Sequence, residues 1–84
     1  MHRRVEAWPN PFNDRFVLAM STRRPVLHLF DAVGRLVREV GLVYGLNEVE
    51  TVDLPKGMYF WAVESAGRVG DPPQRVKAGK LVKM

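Results

Sequence analysis

The sequence predicts an all-β fold, a sandwich of two sheets made of short, mostly antiparallel strands. Three features of its 84 residues point there. Clusters of Gly, Pro, Asn and Asp punctuate the chain about every eight to twelve residues, the spacing of small-strand sandwiches. The runs between them are rich in β-branched and aromatic residues, which suit a pleated, half-buried surface. No window of about eleven residues or more keeps a helical period without an interior Gly or Pro.

Arg4 to Trp8 is the first candidate strand, and Pro9-Asn10-Pro11-Phe12-Asn13-Asp14 breaks it. Pro9 and Pro11 lack a backbone N–H, so this segment cannot lie inside a sheet. Asn10 precedes a proline and is held extended. Trp8 and Phe12 flank the rigid core and are expected to pin it to the domain. Arg15 to Ser21 alternates, with Phe16, Leu18 and Met20 on one face. After the break at Thr22-Arg23-Arg24-Pro25, Val26 to Asp31 alternates with Leu27 and Leu29 on one face. Asp31-Ala32-Val33-Gly34 is a hairpin turn in which Asp31 bonds backbone ahead of it and Gly34 supplies a positive φ. Arg35 to Val40 is the returning strand.

Gly41 to Gly45 reads as a loop or a poor strand whose Leu42, Val43 and Tyr44 would be sticky if exposed. Asn47 to Thr51 is a strand, and Asp53-Leu54-Pro55-Lys56-Gly57 a second turn. Met58 to Ser65 is apolar on both faces: Tyr59, Trp61 and Val63 on one, Met58, Phe60 and Ala62 on the other. Such a run is a central strand covered on both sides, or one side faces a partner. Ala66 to Pro73 is a polar loop, and Gln74 to Met84 the last strand. That makes about seven strands, a sandwich of immunoglobulin-like size. The expected core is Phe16, Leu18, Leu27, Leu29, Val37, Val49, Leu54, Tyr59, Trp61, Val63 and Leu81, with one of Leu36 and Val37 outside.

The length fits a single domain over residues 1–84, with 1–7 readable as a linker remnant. There is no cysteine, so no disulfide framework forms, and the sequence is silent on redox compartment. The net charge of +4 keeps the chain soluble and would attract an acidic partner such as a phosphate-rich glycolipid, a nucleic acid or an acidic protein face. No run approaches the ~20 apolar residues of a membrane span. No apolar stretch follows Met1 to Glu6, so no signal peptide is expected, and an export signal would lie elsewhere.

Catalytic chemistry is not expected. His2 is terminal and His28 stands in a strand, which leaves no zinc spacing and no metal site. Ser21 and Ser65 lack the context of a nucleophile elbow. Asp31 and Asp53 are turn residues. Gly34 and Gly57 belong to turns and not to a phosphate-binding loop, so no cofactor is expected. Nucleic-acid binding has a rival case: Arg3, Arg4, Arg23, Arg24, Lys77, Lys80 and Lys83 as a basic stripe, with Tyr59, Phe60 and Trp61 to stack bases. The three aromatics alternate faces, which speaks against a shared platform.

The final run, Lys80-Leu81-Val82-Lys83-Met84, is strand-like and basic. It follows Trp8-Pro9-Asn10-Pro11-Phe12-Asn13, Leu27 to Val37, Gly45-Leu46-Asn47 and Leu54-Pro55-Lys56-Gly57-Met58-Tyr59-Phe60. In this order the blocks resemble the type A C-terminal sorting domain of the type IX secretion system, from about Ala7 to Met84. Pro9, Asn10, Pro11, Asp31, Gly34, Arg35, Gly57 and Tyr59 fall on its motif and turn positions.

The resemblance implies an immunoglobulin-like β-sandwich that serves as a secretion signal on a passenger protein. The passenger would transit the periplasm to the outer surface or the extracellular space. The implied partners are the outer-membrane translocon, shuttle and sortase proteins of that system. A sortase-like protease would remove the domain, cutting at or before residues 1–7, and join the passenger to surface lipopolysaccharide. Recognition would concentrate on Lys80, Leu81, Val82, Lys83 and Met84. Leu81 or Val82 should anchor the strand, with Lys80 and Lys83 left to a reader. A generic adhesion or spacer module of the same fold is the alternative. Either flat edge strand would also admit a homodimer.

Overall fold

The computed structural model describes residues 7–21, 24–65, 70, 72 and 74–84. Among them are six strands: β1 (Arg15–Met20), β2 (Pro25–Phe30), β3 (Leu36–Gly41), β4 (Gly45–Glu50), β5 (Gly57–Ser65) and β6 (Gln74–Lys83). They form two antiparallel sheets, one ordered β1-β4 and the other β3-β2-β5-β6. The fold is all-β and two-layered, as the alternation predicts, with six strands where the punctuation predicts about seven. The difference is the first candidate. Arg4, Val5 and Glu6 lie outside the described residues, and Trp8 makes a single bridge to Val17. Gln74–Lys83 is the last strand, and most of the expected loop over residues 66–73 lies outside the described residues.

The inner faces follow the period of two. Phe16, Leu18 and Met20 of β1 meet Leu27 and Leu29 of β2, Tyr59, Trp61 and Val63 of β5, Leu81 of β6 and Val49 of β4 in one buried cluster. Each such side chain contributes roughly 1.5–3 kcal/mol on burial. A surface ion pair contributes about 0–1, so this cluster and not the charges holds the layers together. Val37 and Leu54 are partly buried against the cluster. Phe12, Met20, Leu42 and Ala62 are buried as well, beyond the predicted core.

Of Leu36 and Val37 one points outward, as expected, and a bulge decides which. The register slips between Leu29 and Phe30, so Leu29 faces Arg38 and Phe30 faces Leu36. Val37 is the extra residue and turns inward, while Leu36 points outward and is half exposed. Leu42 is buried and donates its N–H to the Pro25 carbonyl at 2.8 Å. Val43 and Tyr44 remain exposed, as feared for that loop. Asn47 ties the loop back: it donates to the Val43 carbonyl and accepts from the Val43 N–H, both at 2.8 Å.

β5 runs down the middle of the larger sheet with its inner face closed and its outer face open. Met58 and Phe60 are 43% and 37% exposed on that side. On the inner side Trp61 lies across Gly79 of β6, its register partner. A Cβ on Gly79 would stand 2.8 Å from the indole nitrogen of Trp61. The indole is buried, so moving it aside would disturb core packing, and glycine suits this close approach. Gly79→Ala should therefore lower stability by about 1–3 kcal/mol, the cost of overpacking a filled core. Urea denaturation of the variant measures it, and an unchanged midpoint would show that the indole can move.

Candidate functional site

Register places the motif residues at one end of the molecule. Phe30 faces Phe60 and Phe60 faces Lys80, so the three make one row across β2, β5 and β6. Everything beyond that row lies on the same side: the 31–35 turn after β2, Gly57 to Tyr59 at the start of β5, and Leu81 to Met84 at the end of β6. Gly57 is paired with Lys83 and Tyr59 with Leu81.

The Pro9-Asn10-Pro11-Phe12 segment lies along the outer edge of β6 at this end. The Asn10 side-chain amide donates to the Lys80 carbonyl and accepts from the Val82 N–H, both at 3.1 Å. Phe12 then donates to the Val82 carbonyl at 2.9 Å and accepts from the Met84 N–H at 2.8 Å. Asn10 thus stands in for a backbone peptide beside two prolines that cannot donate. Phe12 is buried and packs edge-on against Phe16, with ring centroids 5.2 Å apart. Trp8, at the other end of the segment, exchanges backbone bonds with Val17 at 3.0 and 2.7 Å but stays 42% exposed. Of the two expected studs, Phe12 is the seated one. The segment bridges both sheets.

Lys83 departs from expectation. It is 7% exposed and points into the sandwich, where its ammonium donates to the Leu54 carbonyl at 2.7 Å and to the Thr51 carbonyl. The physical reason is parity. Leu81 faces the core, so Lys83, two residues on, faces it too, and its long stem reaches the carbonyls of the turn after β4. Lys80 points outward and is exposed, Val82 is half-buried, and Met84 is 61% exposed. Leu81, fully buried, is the anchor.

The turn after β4 is held from three directions. Thr51, fully buried, donates its N–H and its hydroxyl to the Asp14 carbonyl at 2.8 and 2.9 Å. Arg38 of β3 donates to both Asp53 carboxylate oxygens at 2.8 and 2.7 Å and to the Glu50 carbonyl at 3.0 Å. Lys83 comes from β6. The Arg38 guanidinium holds the Asp53 carboxyl below the ordinary carboxylate value, and Lys83 adds to this. Sequence reasoning missed Thr51 and Arg38. An inward-phased threonine beside Val49 was the available signal for the first, but nothing local marks Arg38.

The 31–35 turn is built as its residues dictate. Asp31 accepts from the N–H groups of Val33 at 3.1 Å and Arg35 at 2.9 Å, and from the Arg35 side chain at 2.9 Å. Gly34 takes φ +87°. The backbone bond from Arg35, before the side-chain one, keeps the Asp31 carboxyl below its ordinary value. Tyr59 donates its hydroxyl to the Pro55 carbonyl four residues upstream, as tyrosine corners of sandwich proteins do. Burial, with Asp31 nearby, pushes the phenol up, so it remains a donor. Tyr59 and Trp61 face inward, which leaves Phe60 alone of the three aromatics to meet a base. Arg3, Arg4 and Arg23 lie outside the described residues.

Two outcomes follow from this geometry. Lys83→Ala removes charged donors from two carbonyls and should cost about 2 kcal/mol, or roughly 10 °C in Tm. Lys80→Ala should stay within about 0.5 kcal/mol. Thermal melts of both variants separate the buried lysine from the exposed one. Asp31 and Asp53 have folded values below their unfolded ones, so their contribution is complete above the unfolded value of 3.8 and is lost as pH falls below it. Acid unfolding monitored by circular dichroism should flatten in that range for Asp53→Asn, and an unaltered profile would remove Asp53 from the account.

No curated protein matches the chain, and no solved structure does. The family model described as "secretion system C-terminal sorting domain" matches residues 6–70. The match takes in the segment at Pro9–Phe12, both turns and β1 to β5, and ends before β6. A sorting domain of this kind implies a passenger protein, interaction with the type IX system, and a secreted or cell-surface destination. With most of its length matched, the chain belongs to the family of type IX secretion C-terminal sorting domains.

Proposed function

We propose that residues 1–84 act as one sorting domain, with 1–7 the remnant of a linker, read by the export machinery at the end of β6. The translocon, shuttle and sortase proteins of the type IX system are its partners in this reading. The passenger crosses the periplasm and the outer membrane. A sortase-like protease then removes the domain, and the passenger is attached at the cell surface. What supports the reading is the convergence of Pro9–Phe12 with Lys80–Met84 at one end of the sandwich, where Asn10 and Phe12 fix the backbone of the last strand.

Within the predicted recognition run, two roles divide by parity. Leu81 and Lys83 hold the strand to the core, while Lys80, Val82 and Met84 present the surface a reader would meet. Pro9, Asn10 and Pro11 position that surface. Asp31, Gly34, Arg35, Gly57 and Tyr59 shape the turns beside it.

The test is a reporter carrying a separate export signal, fused upstream of this chain in a bacterium that has the type IX system. Lys80→Glu and Met84→Asp should lower the surface reporter several-fold while Tm stays within about 3 °C of the parent. Unchanged export in both variants would remove these side chains from recognition. If export instead follows Tm across a variant series, the generic adhesion or spacer reading is the correct one.

A further inference from the structure

We propose that the outer face of the four-stranded sheet carries a docking groove for an acidic segment of a partner protein, one that places an aromatic or aliphatic side chain between carboxylates. The groove follows from the rows of side chains across the sheet. The first row is Leu36, Phe30, Phe60 and Lys80, large side chains from four strands. The second is Glu39, His28, Ala62 and Ala78. Toward β6 this second row drops to two adjacent alanines, so the surface dips behind the wall made by Phe30, Phe60 and Lys80. Arg75, across from Glu64, closes the far side. The result is an open groove of about 410 Å³, lined by Phe30, Phe60, Ala62, Arg75, Ala78 and Lys80 among others.

Its chemistry selects the occupant. Ala62 and the flank of Phe60 offer an apolar floor and wall of the size of one ring or one branched aliphatic side chain. Arg75 and Lys80 stand at opposite sides with no ion pair to any carboxylate among the described residues. Two unpaired cations flanking an apolar dip match carboxylates flanking an apolar side chain. A second copy seated two-fold over the groove would set Arg75 against Lys80, like charge on like. A polyanion running along the face would meet Glu39 and Glu64 beside His28, which lies 2.7 Å from Glu39 and 3.9 Å from Glu64. A short acidic stretch with one apolar anchor avoids both conflicts. Phe60 is the outward residue of a strand apolar on both faces, and this groove is what its second face serves.

The experiment is an amide chemical-shift titration of the 84-residue chain with three blocked peptides: Glu-Glu-Phe-Glu-Glu, the same peptide with Lys for each Glu, and the same peptide with Ser for Phe. The acidic Phe peptide should bind saturably below about 1 mM, with shifts centred on Phe30, Phe60, Ala62, Ala78 and Lys80. Arg75→Glu should weaken binding about tenfold, a like-charge effect. Ala78→Phe, which fills the dip from an exposed position, should abolish it, with both variants melting near the parent. Equal binding of the Lys peptide, shifts centred elsewhere, or no binding would overturn the proposal. So would concentration-dependent shifts of these amides without peptide, which would assign the face to a second copy. The titration needs no export machinery, so its failure and a failure of the sorting role are separately visible.

Discussion

The Lys83 ammonium on the Thr51 and Leu54 carbonyls is the polar joint on which the closed end of this small sandwich depends, while the apolar cluster holds its layers together. A two-stranded layer is too narrow to cover a four-stranded one unaided, and two-stranded units are marginal in water. β1 and β4 bury one row of side chains on the larger sheet and leave their ends unsupported. The turn after β4 supplies the support by presenting bare carbonyls to the core, and those carbonyls need donors once removed from water. Lys83 provides them from β6, Arg38 provides another from β3, and Thr51 ties the same turn to Asp14. The two sheets are thus joined by apolar contact in the middle and by a satisfied polar knot at one end.

Much of the fold was legible because strands declare themselves by parity. Phe16, Leu18, Leu27, Leu29, Tyr59, Trp61 and Val63 lie inside, as their alternation requires. Asp31 and Gly34 form the turn their residue types demand. What could not be read was anything set by distance along the chain. Phe12 was legible as a stud on the domain, but only the folded chain shows that it seats against Phe16. The bulge that sends Val37 inward and Leu36 outward is a property of the pairing with β2, and Leu36-Val37 in isolation cannot reveal it.

The motif residues were legible in the sequence, and the structure places one of them, Lys83, otherwise than expected. The end of the last strand, Pro9 to Pro11 and the turn glycines were all visible as motifs, and their order carried the family resemblance. Lys83 was misjudged because a lysine in a terminal strand usually stands in water and guards an edge against pairing with another chain. Counting from Leu81 would have placed it inward, but its carbonyl partners lie about thirty residues away, at Thr51 and Leu54. Composition treats Lys80 and Lys83 as equals, whereas the pleat makes one a surface charge and the other a structural donor.

The pairing of Asn10 with Lys80 and Val82 spans 70 and 72 residues of sequence. That separation has a kinetic meaning. Loop-closure entropy must be spent before such a contact returns anything, so strands that meet across the whole chain are late events in folding. The polar knot also waits, since it needs residue 83 to reach the turn at 51–54. During synthesis, β1 to β5 can emerge and pair while the segment at Asn10 and the carbonyls of Thr51 and Leu54 have nothing to close on. Completion of this sandwich is therefore timed by the arrival of β6, and a chain held short of that strand remains an open, unlocked sheet pair.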